Sequence, residues 1–148
     1  MKALKAGLFI LLALFVSWGC SNKDEPDHLL VGEWLWEQTS GGIGGWIFKP
    51  KEGQKVVVRY TKKGTFEVLR NDSLWYSGRY HLDKVKVRDE PERRVISPEG
   101  VVNHIPQRGI PWPNVVWSGE FKADRTKLSV AQHYLMNDGF GSSFSRLK

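Results

Sequence analysis

The chain has 148 residues, and its first nineteen carry 14 of its 60 apolar residues. From Cys20 onward 46 of 129 residues are apolar, with 20 Lys and Arg against 16 Asp and Glu. That length holds one domain and leaves no room for a two-domain enzyme. The single cysteine excludes an internal disulfide framework and any multi-thiolate metal site. Only two alanines follow Cys20, beside six Trp, four Tyr and five Phe, a composition of strands rather than helices.

Lys2 and Lys5 supply a basic start, Gly7 to Val16 is an uncharged apolar run, and small Ser17 and Gly19 stand before Cys20. These are the parts of a secretory signal peptide over residues 1–19. From Ala6 to Cys20 the apolar stretch covers fifteen residues, short of the roughly 20 that cross a bilayer. Val16-Ser17-Trp18-Gly19-Cys20 resembles a bacterial lipobox. The resemblance implies cleavage before Cys20 and a lipid on its thiol, where two or more acyl chains, at about 0.8 kcal/mol per buried methylene, anchor a protein stably. Residues 20–28 then read as a lipidated N-terminus and polar tether. Within it, Lys23-Asp24-Glu25 resembles the signal that carries Bacteroidota lipoproteins to the outer face of the outer membrane, so a lipid-anchored, surface-exposed protein is expected.

Asp27 to Leu30 is read as one short turn, and residues 29–148 as a barrel domain. Val31–Glu37 alternates Val31, Glu33, Leu35 and Glu37 against Gly32, Trp34 and Trp36. Four of the fifteen glycines fall between Gly41 and Gly45, and Trp46-Ile47-Phe48 behind them looks like a strand. Lys55–Thr61 sets Val56, Val58 and Tyr60 opposite Val57, Arg59 and Thr61. Thr65–Arg70 follows a Lys63-Gly64 turn, and Asn71-Asp72 leads into Ser73–Leu82, where Leu74, Tyr76, Gly78, Tyr80 and Leu82 share a face. Lys84–Arg88 alternates again. Pro91 to Pro113 holds five of the seven prolines, and proline cannot donate to a ladder. It reads as a long excursion with one short edge strand near Val95-Ile96, folding back through Ile105, Ile110 and Trp112 as a partial lid. Asn114–Phe121, Lys127–Tyr134 and Ser142–Leu147 complete eight or nine strands with turn signals between them. No window shows a sustained helical period. The expected fold is all-β, an antiparallel eight-stranded barrel with little helix.

Gly32-Glu33-Trp34 on the first strand matches the Gly-x-Trp element of lipocalins, and Arg146 stands near the end of the last strand. The resemblance implies that Gly32, Trp34 and Arg146 close the barrel bottom, with the guanidinium across the indole. Gly32 to Trp36, the Thr39–Gly45 run, Pro50 and Asn137-Asp138-Gly139 together resemble small lipocalin-like, calycin-type lipoproteins of Bacteroidota. No second lipocalin motif is found.

Other chemistry is thin. The Gly41–Gly45 run lacks the Gly-Lys-Ser/Thr ending of a phosphate loop and precedes a strand, not a helix. His28, His81, His104 and His133 have no metal-ligand spacing, so no cofactor or metal is expected. Glu33, Glu37, Glu67 and Glu120 lie opposite the aromatic face, outward and solvated, and no nucleophile constellation occurs. Lys84, Lys86, Arg88, Arg93 and Arg94 could meet phosphates, but Asp89, Glu90 and Glu92 sit among them. A solvated edge is the simpler reading, with no nucleic-acid partner. The inward rings Trp36, Tyr60, Phe66, Tyr76, Tyr80 and Trp117 leave two non-enzymatic readings, because an eight-stranded barrel either fills with side chains or holds one small ligand. In one, they line a site for a small apolar or amphipathic ligand. In the other, the barrel is a filled scaffold contacting a surface protein or glycan through its loops, with Trp46 and Trp112 as anchors.

Overall fold

The computed structural model describes residues 27–86, 88–105, 116–132 and 138–148. They form nine antiparallel strands and no helix: β1 (Gly32–Gly41), β2 (Trp46–Phe48), β3 (Val56–Tyr60), β4 (Thr65–Arg70), β5 (Ser73–Val85), β6 (Arg93–Asn103), β7 (Gly119–Ala123), β8 (Lys127–Ala131) and β9 (Phe140–Arg146). Each barrel strand pairs with the next in sequence, and β1 pairs with β9, so eight strands close into a meander and β2 is added beside the upper part of β1. Closure leaves the eight barrel strands without a free edge along their paired lengths.

The alternating residues sort as the two-residue period requires. Val56, Val58 and Tyr60 of β3, Phe66 and Val68 of β4, and Leu128 and Val130 of β8 are all buried inside, with Trp34, Trp36 and Phe144 from the closing pair β1 and β9. On the outside, Arg59 joins Glu33 at 2.8 Å and Glu67 at 2.6 Å across three neighbouring strands. Hydrogen bonds from the guanidinium, first to Glu33 and then to Glu67, raise the Arg59 pKa further. Glu37 pairs with Lys127 and Glu120 with Arg93.

Two turns show why the strands begin and end where they do. Asn71 and Asp72 both adopt positive φ (48° and 62°) between β4 and β5, the two-residue hairpin geometry that favours Asn and Asp. Gly119, at φ 127°, opens β7 where an added Cβ would lie 2.1 Å from the Ala131 carbonyl oxygen. No other residue fits there.

The structure redraws five expected elements. Lys84–Arg88 is not a separate strand: β5 runs unbroken to Val85, and Arg88 turns the chain at φ 50°. As far as the described residues go, the stretch after Pro91 is not a loop with a short strand, because β6 spans eleven residues straight through Pro98; Pro106 to Pro113 lies outside the described residues. Its pairing with β7 stops at Ile96–Gly119, so beyond that point β6 is bonded on its β5 side alone among the described residues. An edge is where proline costs no ladder bond. In place of Asn114–Phe121 the described strand is Gly119–Ala123, because Val116 and Trp117 leave the sheet to enter the interior; Asn114 and Val115 lie outside the described residues. The strand from Lys127 ends at Ala131, with Tyr134 outside the described residues, and the last strand is Phe140–Arg146 rather than Ser142–Leu147.

Candidate functional site

The barrel has two unlike ends. One holds the β3–β4, β5–β6 and β7–β8 turns and the two termini of the described chain; the other holds the β1–β2 and β4–β5 turns and the chain leading into β7. The first is closed by residues 27–31. Asp27 accepts at its carbonyl from Leu30 N (2.9 Å) and Val31 N (3.1 Å), and at its side chain from Leu29 N (2.8 Å), which makes the expected turn. Its carboxylate also pairs with Arg94. Leu30 is fully buried, and the Trp34 indole donates to its carbonyl at 2.7 Å.

Arg146 lies over the Trp34 ring at 4.4 Å and donates to the carbonyls of Leu29 and Val31. Gly32, at φ 149°, gives it space: a Cβ there would sit 2.9 Å from Arg146 Nη1. Gly32, Trp34 and Arg146, named from the lipocalin resemblance, are thus brought together as one closing unit.

The six rings named as ligand-lining, Trp36, Tyr60, Phe66, Tyr76, Tyr80 and Trp117, are all buried in a single cluster. Five of them meet ring to ring. Trp117 stacks on Phe66 at 4.6 Å and on Tyr76 at 6.3 Å, and Tyr60 meets Tyr80 edge-on at 5.3 Å. Their polar ends are also used: the Tyr60 hydroxyl donates to the Trp117 carbonyl, Tyr80 to the Thr61 carbonyl at 3.0 Å, and the Trp36 indole to Thr39 Oγ1 at 3.0 Å. Burial pushes the Tyr80 phenol up to about 12 and Tyr60 in the same direction, with Tyr80 beside it adding a smaller push.

Two interior residues escape a reading by alternation, Thr39 and Ser142. Their hydroxyls lie 2.5 Å apart, and Ser142 Oγ accepts from Val116 N at 2.7 Å. The pair therefore ties the chain entering from the open end to β1 and β9. A bulge between Trp36 and Gln38 shifts the register and turns Thr39 inward, against the parity of Trp34 and Trp36. The only sequence signal is the absence of an apolar residue at Gln38, where strict alternation would want one.

Reactive groups elsewhere are sparse. Ser77 Oγ and His104 Nε2 lie 2.8 Å apart on the outer surface, 27 residues apart in sequence. No carboxylate pairs with His104 among the described residues, so the third member that orients a catalytic base is missing there. His81 contacts Asp83 at 3.3 Å, and Ser97 donates to the same carboxylate. Among the described residues no three His, Cys, Asp or Glu side chains gather as metal ligands. An open groove of about 440 Å³ runs outside β7, β8 and β9, edged by Glu37, Lys122, Asp124 and Lys127. Cys20, His133, Ile110 and Trp112 lie outside the described residues; Ile105 packs against the core.

The other end carries the exposed apolar surface. Ile43 is 90% exposed, Trp46 61% and Ile47 64%, all on the β1–β2 hairpin. The hairpin tip is glycine because Gly42 and Gly45 take positive φ (74° and 61°). Comparison of the chain with protein-family models, curated proteins and solved structures finds no match.

Proposed function

We propose that this chain is a lipid-anchored cell-envelope protein, non-enzymatic, whose filled barrel is a rigid support for a loop-borne contact with a protein or glycan at the cell surface. The observation that carries the reading is the packing of Trp117 into the ring cluster. Its indole fills the space between Phe66 and Tyr76, and its carbonyl accepts a hydrogen bond from the Tyr60 hydroxyl. A small ligand in the interior would have to displace that ring and leave the Tyr60 hydroxyl without its acceptor, at a cost of about 1–3 kcal/mol for the lost bond alone. The contact surface would be the β1–β2 hairpin, where Trp46 is an aromatic anchor of the type that dominates protein interfaces.

The anchor at Cys20, the leader before it and the outer-membrane location belong to this proposal, supported by the lipobox-like segment and the acidic tether behind it. Native mass spectrometry of the protein extracted from its own membrane tests both parts. The expected spectrum is one lipidated mass beginning at Cys20, with no second small molecule. A stoichiometric co-purifying ligand would return the barrel to the ligand-binding reading.

A further inference from the structure

The two ends of the barrel differ in charge, and the difference is not a matter of composition alone. At the closed end Lys62 and Lys63 occupy the β3–β4 turn, Lys86 and Arg88 the β5–β6 turn, Arg125 the β7–β8 turn, and Lys148 follows β9. All six are exposed, and none forms an ion pair with a described residue. The carboxylates at that end are mostly used up. Asp27 is held by Arg94, Glu90 by Arg93 and Glu92 by Lys84. Asp89 forms no ion pair with a described residue, and Asp124, with the Lys127 charge beside it, folds its own turn by accepting from Thr126 N and Lys127 N. Among the described residues the open end carries charges of both signs: Lys49 and Lys51 share it with Glu52 and Asp138, Lys55 pairs with Asp72, and Arg70 lies over Trp75.

The closed end is also where the N-terminal tether must leave the barrel, since Asp27 is pinned there through Arg94 and the turn it caps. Cys20 stands only seven residues upstream, at most about 25 Å of extended chain. We infer that the closed end is a cationic docking face that lies on the anionic phosphate headgroups of a bilayer, turning the β1–β2 hairpin away from it. The orientation rests on the proposed lipid anchor; the face itself rests on the six unpaired cations. Each Lys or Arg held near an anionic bilayer strengthens binding about fivefold, and salt screens the effect within a Debye length. Three turns and the segment after β9 that converge at one end of a closed barrel present their charges together, which a single basic segment would not do.

The test uses the full chain, with Cys20 intact and as Cys20→Ala, on vesicles of phosphatidylcholine alone and of phosphatidylcholine with one third phosphatidylglycerol. Binding to the neutral vesicles reads the anchor and should fall in Cys20→Ala. The ratio of anionic to neutral binding reads the face. It should exceed tenfold at low salt in both chains and approach unity in half-molar salt. Lys62→Glu/Lys63→Glu/Arg125→Glu should abolish that ratio, whereas Lys49→Glu/Lys51→Glu at the open end should keep most of it. Circular dichroism of the triple variant checks that the barrel is intact; should it unfold, the Lys86→Gln/Arg88→Gln variant reads the same ratio. An unchanged ratio in the folded variants overturns the inference, as does an equal loss from the open-end pair. Displacement of the native chain from anionic vesicles by millimolar inorganic phosphate, or tighter binding to single-stranded DNA than to those vesicles, would overturn it in favour of a soluble anion. A failed anchor leaves the ratio readable, so the two ideas fall separately.

Discussion

At the closed end of the barrel the backbone is covered by its own chain: residues 27–31 lie across the opening, and the Arg146 guanidinium grips two of their carbonyls while resting on Trp34. At the open end nothing comparable among the described residues covers the hairpin between β1 and β2, whose Ile43, Trp46 and Ile47 are exposed. There the interior is sealed from within, by Trp117 held through Val116 to Ser142 and Thr39. One end is thus closed by a charged clamp on backbone, the other by an apolar ring suspended from a polar pair. The contrast separates two tasks that a small barrel must share out. A cover made of ion pairs and carbonyl contacts tolerates a charged surface around it, and an internal ring leaves the loops above it free for contact.

Four variants sharpen that contrast, in falling order of effect. Trp117→Ala removes the internal seal and should cost about 3–5 kcal/mol in denaturant unfolding, the range for a large buried aromatic. A loss below about 1 kcal/mol would mean that the interior is not held by this ring. Arg146→Met keeps the apolar cover of Trp34 but strips the cation and its two carbonyl contacts, for an expected loss of about 2–4 kcal/mol. If it cost more than Trp117→Ala, the clamp and not the ring would be the dominant closure.

The buried phenols come next, through pH. The folded state holds the Tyr80 proton up to about 12, against an ordinary value of 10.0, and Tyr60 is shifted the same way. Above pH 10 the unfolded chain therefore releases protons that the folded chain keeps. Stability is complete below pH 10 and falls above it by about 1.4 kcal/mol per pH unit for each phenol. Urea unfolding at pH 9, 10 and 11 should show the fall, and Tyr80→Phe should remove part of the slope. An unchanged slope in that variant would place the titration elsewhere. The smallest effect belongs to the open hairpin. Trp46→Ser should change stability by less than about 0.5 kcal/mol, since the ring is mostly exposed. A larger loss would show that the hairpin is part of the core rather than a free contact surface.

Much of the barrel was legible in the residues because strand alternation is local. Trp34 and Trp36, Val56 to Tyr60, and Phe66 and Val68 declare their inner face within a few residues of one another, and Asn71-Asp72 declares its turn. The long β6 was hidden because Pro98 argues against a strand until the edge is known, and an edge is a property of the whole sheet. Thr39 was hidden for a related reason. A single bulge resets the parity of everything after it, and only the partner strand shows where it falls.

The sequence by itself determined an all-β chain, the inner face of most strands, and the pairing of a first-strand tryptophan with a last-strand arginine. The first two follow from a two-residue period, and the third is what the lipocalin resemblance implied. Only the tertiary structure decided that five of the six inner rings meet one another, and that two small hydroxyls hang Trp117 in place. It also gathered unpaired cations from four separate segments at one end. Those outcomes depend on which distant segments barrel closure brings together, and no local pattern encodes that.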